Sequence, residues 1–344
     1  MKEAIAAWLD SVRVQIGALA GAYGLLVTVY LLLRLLTGEV LALIAFLNNG
    51  AHWITLGAVA AGVVALVAPY RRFWALYALP GALAFLVWFG PLYAPWRPFL
   101  PEPDADLSFT VATYNIAGDD GEFRFDYEAR TGSAATHGVI GDLDADILGI
   151  QEANNEAVID SLLEVYPYHA RHDDLALFSR YPINDDSVFL VDSPERRRVV
   201  ALRAVVMVEE QPVSVYVMHT WRPEVSLRPL GYDGRERAAG IRDAVAAFET
   251  EENPVLVLCD CNLSPHTDDY GVLADVLRDS WRERGFGLGL TAPDNKSDVP
   301  VMLLRSDYIW HGDALDVLTI KVWGSSGDSD HRPLWARLGL EVKN

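Results

Sequence analysis

The chain has 344 residues, 51% of them hydrophobic, with 28 basic and 47 acidic side chains and a formal charge of −19. Residues 1–100 hold six of the basic and three of the acidic residues, so residues 101–344 carry 22 basic and 44 acidic ones, a formal charge of −22. Such an acidic balance repels polyanions at long range and disfavours sequence-independent binding of duplex nucleic acid, which rests on Lys and Arg neutralising phosphates.

Residues 17–36 (GALAGAYGLLVTVYLLLRLL) make an apolar run of the length that crosses a bilayer, roughly 20 residues, with Arg34 near one end where it can snorkel. Residues 51–68 and 73–92 are two further candidate spans, whereas Leu41 to Leu47 is too short to cross alone and is broken by Asn48-Asn49-Gly50. A cleaved signal peptide competes for the first run, but its apolar core would be shorter and would not be followed by two more spans. With three spans, Lys2, Arg13, Arg71 and Arg72 lie on one side of the bilayer, which the positive-inside rule assigns to the cytoplasm. The expectation is a transmembrane region over 1–95 and a multi-pass cell-membrane protein whose remaining domain is extracytoplasmic; a count of two or four inverts that orientation. Pro95, Pro98, Pro101 and Pro103, with Glu102, Asp104 and Asp106, disfavour helix and sheet alike and read as a stiff linker over 96–107. The second domain then spans 108–344.

Within it, apolar and β-branched runs recur at 109–114, 147–150, 176–178, 199–208, 213–218, 255–258, 307–310 and 334–338. Residues 137–142, 155–165, 235–249 and 270–278 read as helices, and the runs 199–208 and 213–218 are close enough for a hairpin. The pattern predicts mixed sheets with helices outside them rather than a parallel βαβ repeat. The strand ends carry polar residues: Asn115, Gln151-Glu152, His219, Asp260 and Asn262, then Asp307 at the head of its run and Ser329-Asp330-His331 before the last one. Each alone has a bland reading, Asn115 as a turn residue, Glu152 as a helix N-terminal carboxylate, His219 as a core histidine. Cys259 and Cys261 flank Asp260 on one strand, too far apart for a normal disulfide without backbone distortion. A zinc site would need further ligands, so packing on the buried face is the expectation for both. Arg196-Arg197-Arg198, the basic run, reads as a solvated turn or strand end, with a substrate or lipid-headgroup contact as the alternative.

Taken as an ordered set, YN at 114–115, QE at 151–152, LFSRYPI at 177–183, HT at 219–220, DCN at 260–262, SDY at 306–308 and SDHRP at 329–333 resemble the endonuclease/exonuclease/phosphatase superfamily, the deoxyribonuclease I-like group. The resemblance implies a four-layer α/β sandwich, two central mixed sheets flanked by helices, with the site at their common edge. It implies Glu152 as metal ligand with Asp330 and Asn115 next, and Mg²⁺ or Mn²⁺ as the cofactor, which suits hard oxygen ligands. It implies His331 as the donor to a phosphoryl oxygen, Asp307 as its acidic partner, Asp260 as the residue that orients or deprotonates water, and Asn262 as a phosphate or water contact. His219 matches a second histidine that binds phosphate or assists the leaving group, and both roles stay open. The usual glycine before the aspartate is here Cys259, which puts the strand-end geometry in question.

Residues 119–138 and 221–234 read as long loops near the site, with Trp221, Arg222, Arg228 and Tyr232 as candidate headgroup contacts and Arg222 as a substrate contact. The expectation is a membrane-anchored, metal-dependent phosphoesterase whose partners are a lipid-linked or phospholipid phosphoester and the bilayer. A tethered nuclease is the alternative, disfavoured by the acidic charge. A small soluble phosphoester and a non-catalytic binding protein on a decayed fold remain as further readings.

Overall fold

The computed structural model describes residues 1–117, 133–191, 198–227, 230–294 and 302–341. Most of the loop 119–138, Arg196 and Arg197 of the basic run, and Arg228 lie outside the described residues. The chain forms two compact units, one of Met1–Pro95 with Val225–Tyr232 and His266–Asp268, the other of the remainder.

The first unit contains α1 (Lys2–Thr37), α2 (Ala42–Asn49), α3 (Ala51–Leu66) and α4 (Arg71–Trp88). Small residues line the buried stripe of α1, namely Gly17, Ala20, Gly21 and Gly24. A Cβ on Gly24 would stand 2.6 Å from the backbone of Ala78, so α1 and α4 touch main chain to main chain there. Large apolar side chains such as Leu19, Leu26, Leu35 and Leu36 of α1 are exposed. Tyr30 donates to Asn48 (2.8 Å), Asn48 donates to Glu39 (2.8 Å), and Arg34 pairs with Asp268 at 2.6 Å.

The expectation of a multi-pass, extracytoplasmic arrangement is corrected here. Among the described residues α1 alone is long and apolar enough to cross a membrane, and α2 with α3 reaches that length only if a pair bent by 77° counts as one span. The third expected span, 73–92, is a shorter helix that contains Pro80 and ends at Trp88, before a 3₁₀ turn over Gly90–Tyr93. The count of three that fixed the orientation is not reached.

The second unit runs β1 (Leu107–Asn115), α5 (Ser133–Leu143), β2 (Ile147–Gln151), α6 (Glu156–Val165), β3 (Tyr168–His172), β4 (Leu175–Ser179), β5 (Ile183–Val191), β6 (Arg198–Val208) and β7 (Gln211–His219). The short pair β8 (Glu224–Leu227) and β9 (Leu230–Asp233) falls largely in the first unit. The order continues with α7 (Arg235–Glu249), β10 (Val255–Asp260), α8 (Asp268–Ala274), β11 (Arg278–Asp279), α9 (Ser280–Arg284), β12 (Asp307–His311), β13 (Leu315–Val322) and β14 (Leu334–Leu340). The helix expected over 270–278 thus ends early, and Arg278 enters a strand.

Two six-stranded mixed sheets result, ordered β13-β14-β1-β2-β4-β3 and β11-β12-β10-β7-β6-β5. In each, one central pair is parallel, β1 with β2 and β7 with β10. Their outer faces are covered by helices. Ala112, Tyr114, Leu148, Ile150 and Phe178 pack with Val139 and Ile140 of α5 and Val158, Ile159 and Leu162 of α6. Tyr216, Met218, Val257, Tyr308 and Trp310 pack with Ile241, Ala244 and Phe248 of α7 and Leu273 of α8. The inner faces meet at Gly149, where an added Cβ would lie 2.9 Å from Leu258 and 3.2 Å from Val217. The layers are therefore helices, sheet, sheet, helices.

Candidate active site

Strand alternation explains how distant residues meet. On β1 the helix-facing residues are Ala112 and Tyr114, so Thr113 and Asn115 face the other sheet. By the same period-two rule Gln151 on β2, His219 on β7, Asp260 on β10 and Asp307 on β12 all project into the space between the sheets. Register brings them level: Asn115 pairs with Gln151, and Asp260 pairs with His219 on one side and Asp307 on the other. All five are buried.

Backbone turns just past the strand ends complete the site. Ala117, Glu152 and Asn262 have φ of 50°, 52° and 45°, the left-handed region that side chains other than glycine rarely adopt. Strict alternation would send Glu152 toward the helices; the turn instead lets its Oε1 accept from the Asn115 amide at 3.0 Å. The same amide donates to Asp260 Oδ2 at 2.9 Å, so one neutral group holds two carboxylates. Arg222, half in solvent, reaches Glu152 Oε1 at 3.4 Å.

Two histidines flank Asp260. His331 Nδ1 lies 2.9 Å from Asp307 Oδ2, and its Nε2 stands 3.9 Å from Asp260 Oδ2. His219 Nδ1 lies 3.1 Å from Asp174 Oδ2, with its Nε2 3.7 Å from Asp260 Oδ2. Ser329 donates to the carbonyl of Asn115 at 2.7 Å and accepts from the backbone of His331 at 2.9 Å, which ties the last loop to β1. Ser306 donates to Asp307 Oδ2 at 3.0 Å. Burial favours the neutral imidazole at His331, but the charges of Asp307, Asp260 and Asp330 and the bond to Asp307 outweigh it and push its pKa up to about 10. Burial likewise opposes ionisation of Asp260, yet His331, His219, Arg222 and the Asn115 amide hold its carboxyl below the usual range.

Asn262 stands past the end of β10, out of regular alternation. Its backbone N–H donates to Asp260 Oδ1 at 3.2 Å and its side-chain amide donates to the carbonyl of Thr220 at 2.8 Å, so one N–H expected on phosphate is spent within the loop. Cys259 and Cys261 correct their expectation, for they form a disulfide with Cα atoms 5.2 Å apart. The chain curls after Asp260, which brings the two cysteines within the usual Cα range for a disulfide, roughly 4.4–6.8 Å. Both cysteines still lie in the core between sheet and helices.

Asp174, at the turn between β3 and β4, escaped sequence reasoning. Asp173-Asp174 reads as turn chemistry, and nothing local announces a partner 45 residues away.

Among the described residues one group of side chains can hold a metal ion: Asp260, Asp307 and His331, all buried, offer ligand atoms within 4.8 Å of one another. Glu152 approaches through Asn115, while Asp330 is half-buried and stands outside that group. The donor set is rich in carboxylate oxygen, which fits a hard divalent cation.

A model described as the Endonuclease/Exonuclease/phosphatase family matches residues 112–331. Comparison with curated proteins finds no match. Solved structures with a similar fold include the endonuclease/exonuclease/phosphatase from Bacteroides vulgatus, 18% identical over 69% of this chain and 100% of that one, TM-score 0.56. D. rerio TDP2 complexed with single strand DNA product is 16% identical over 68% and 100% of the two chains, TM-score 0.56. The human Nocturnin catalytic domain with bound sulfate anion is 17% identical over 72% and 100%, TM-score 0.50. At these identities the likeness is one of fold.

Proposed function

The chain belongs to the endonuclease/exonuclease/phosphatase family and is a metal-dependent phosphoesterase-type hydrolase; on that premise we propose that it cleaves a phosphodiester of the nucleic-acid type, presented on a short or single strand. The observation that carries the reading is the pair of imidazoles, each backed by its own carboxylate, whose outer nitrogens face Asp260 from two sides. A diester needs a donor for the charge growing on its non-bridging oxygens and a group that serves the leaving oxygen, and two separate imidazoles supply that division of labour. The D. rerio TDP2 structure holds a single strand DNA product, and the charge of −22 on residues 101–344 disfavours long duplexes.

Asp307 and His331 are bonded to each other, which leaves the carboxylates of Asp260 and Glu152, sharing the Asn115 amide, as the oxygen ligands we assign to Mg²⁺ or Mn²⁺, with Asp330 a further candidate. Such a cation, when bound, neutralises charge on phosphate oxygens and acidifies a bound water. His331 donates its Nε2 proton to a non-bridging oxygen, held in that orientation by Asp307. Asp260 orients the attacking water, and His219, steered by Asp174, serves the leaving oxygen. Residues 108–344 are the proposed catalytic domain. A second reading, a lipid-linked phosphoester, is favoured by the exposed leucines of α1.

The test is turnover by the full chain of bis(p-nitrophenyl) phosphate, p-nitrophenyl phosphate, a labelled single-stranded oligonucleotide and phospholipid vesicles, with Mg²⁺ or Mn²⁺ and with EDTA. Oligonucleotide and diester cleavage that EDTA abolishes and either metal restores is expected. Preference for the monoester removes the diester assignment, and preference for the vesicle replaces it with the second reading.

A further inference from the structure

We propose that Arg237 of α7 is a positioning residue for Asp260, acting through the main chain of Asn262; the proposal rests on the reading of Asp260 as the residue that orients water. Arg237 is 1% exposed, a costly place for a guanidinium unless each prong is used. Its Nε donates to Asp269 Oδ2 at 2.7 Å, at the start of α8. Its Nη1 donates to the backbone carbonyl of Asn262, also at 2.7 Å.

Asn262 is the residue with φ of 45° whose N–H donates to Asp260 Oδ1. A residue other than glycine keeps this left-handed conformation only where its surroundings hold it. Here the surroundings are specific. Thr220 receives the Asn262 amide and donates its hydroxyl to the carbonyl of Cys261, and the N–H of Cys261 donates to the carbonyl of Ser306 at 2.9 Å. The link from Arg237 brings a charged donor to the carbonyl of the strained residue itself. An ion pair serving stability alone needs Asp269; the prong on Asn262 is additional. The planar fork of arginine serves both acceptors at once, which the point charge of lysine does not. Released from Arg237, the peptide after Asn262 relaxes and the N–H aimed at Oδ1 drifts. Asp260 keeps the Asn115 amide on Oδ2 but loses the bond that fixes its rotation. Misplacement of a reacting group by about 1 Å can cost on the order of 100-fold in rate.

The experiment uses the full chain with bis(p-nitrophenyl) phosphate and Mg²⁺, comparing wild type, Arg237→Lys, and Arg237→Met combined with Asp269→Asn so that no lone charge stays buried. Arg203→Met, which breaks an ion pair elsewhere on the same sheet, is the stability control. The two Arg237 variants are expected to lose about tenfold or more in kcat, with KM within about twofold of wild type. Arg203→Met is expected to lower Tm and leave kcat unchanged well below the transition. Hydrogen exchange adds a readout that needs no turnover: the Asn262 amide should exchange faster in Arg237→Lys while the amides of β7 and β10 do not change. Unchanged exchange at Asn262, or kcat within twofold of wild type in a folded Arg237 variant, overturns the proposal. Absence of turnover by wild type would instead count against the phosphodiesterase reading, with the exchange result still deciding the role of Arg237.

Discussion

Asp174 and His219 are the residues at which single-residue reasoning and the folded site diverge most. His219 stands in the HT motif at a strand end and is legible in the sequence; the carboxylate 3.1 Å from its Nδ1 sits in a hairpin turn and is not. As acceptor of the Nδ1 proton, the Asp174 carboxylate sets the ring so that Nε2 faces Asp260. Asparagine there can present an amide donor instead and favour the opposite tautomer. Asp174→Asn is therefore expected to lower kcat by roughly 10–100-fold, measured on bis(p-nitrophenyl) phosphate at saturation. Adding Asp174→Asn to His219→Ala should cost nothing further, because the two act as one unit. Additive losses would place Asp174 in some other role. Asp307 and His331, in contrast, are legible as a pair through the family resemblance that SDY and SDHRP carry.

Among the elements, most strands and the hairpin from β6 to β7 follow from the apolar runs alone. The hairpin closes at Glu209-Glu210, both with positive φ, the conformation of a two-residue I′ turn. By contrast β3, Tyr-His-Ala-Arg-His, lacks an apolar signal and takes shape from its neighbour in the ladder. Packing between the sheets makes a sharp prediction at Gly149 on β2. A Cβ there meets Leu258 at 2.9 Å and Val217 at 3.2 Å, so Gly149→Ala should cost about 1–3 kcal/mol, visible as a lower midpoint in chemical denaturation. A midpoint equal to wild type would mean the sheets are farther apart than described.

A second prediction at this scale concerns Glu251, beyond α7, which accepts from Arg203 Nε at 2.8 Å and Tyr216 at 2.9 Å. Burial opposes its ionisation, but Arg203 and Tyr216 outweigh it and lower its pKa to about 2. A carboxyl depressed in the folded state contributes stability above its ordinary pKa, lost as pH falls toward about 2. Wild type should lose on the order of 3 kcal/mol more than Glu251→Gln between pH 6 and pH 2; parallel stability curves would remove the assignment.

For the whole molecule the controlling property is charge. With −22 on residues 101–344, a polyanionic substrate approaches against repulsion that salt screens over a Debye length of about 8–10 Å. Raising salt from 50 to 200 mM should therefore leave kcat/KM on a single-stranded oligonucleotide unchanged or higher, the reverse of a basic nuclease; a steep fall would reveal a local basic surface. The sequence by itself determined the family, the two mixed sheets with outer helices, and most of the polar set, because period-two alternation and ordered motifs are local properties. Tertiary structure decided the rest. Glu152 and Asn262 enter the site through left-handed turns, Cys259 and Cys261 bond because the chain curls after Asp260, and Asp174 and Arg237 act through partners distant in sequence. It also decided against three spans, since helix length and bending depend on where packing ends each helix. These are consequences of backbone dihedrals and long-range contacts, and no window of neighbouring residues encodes either.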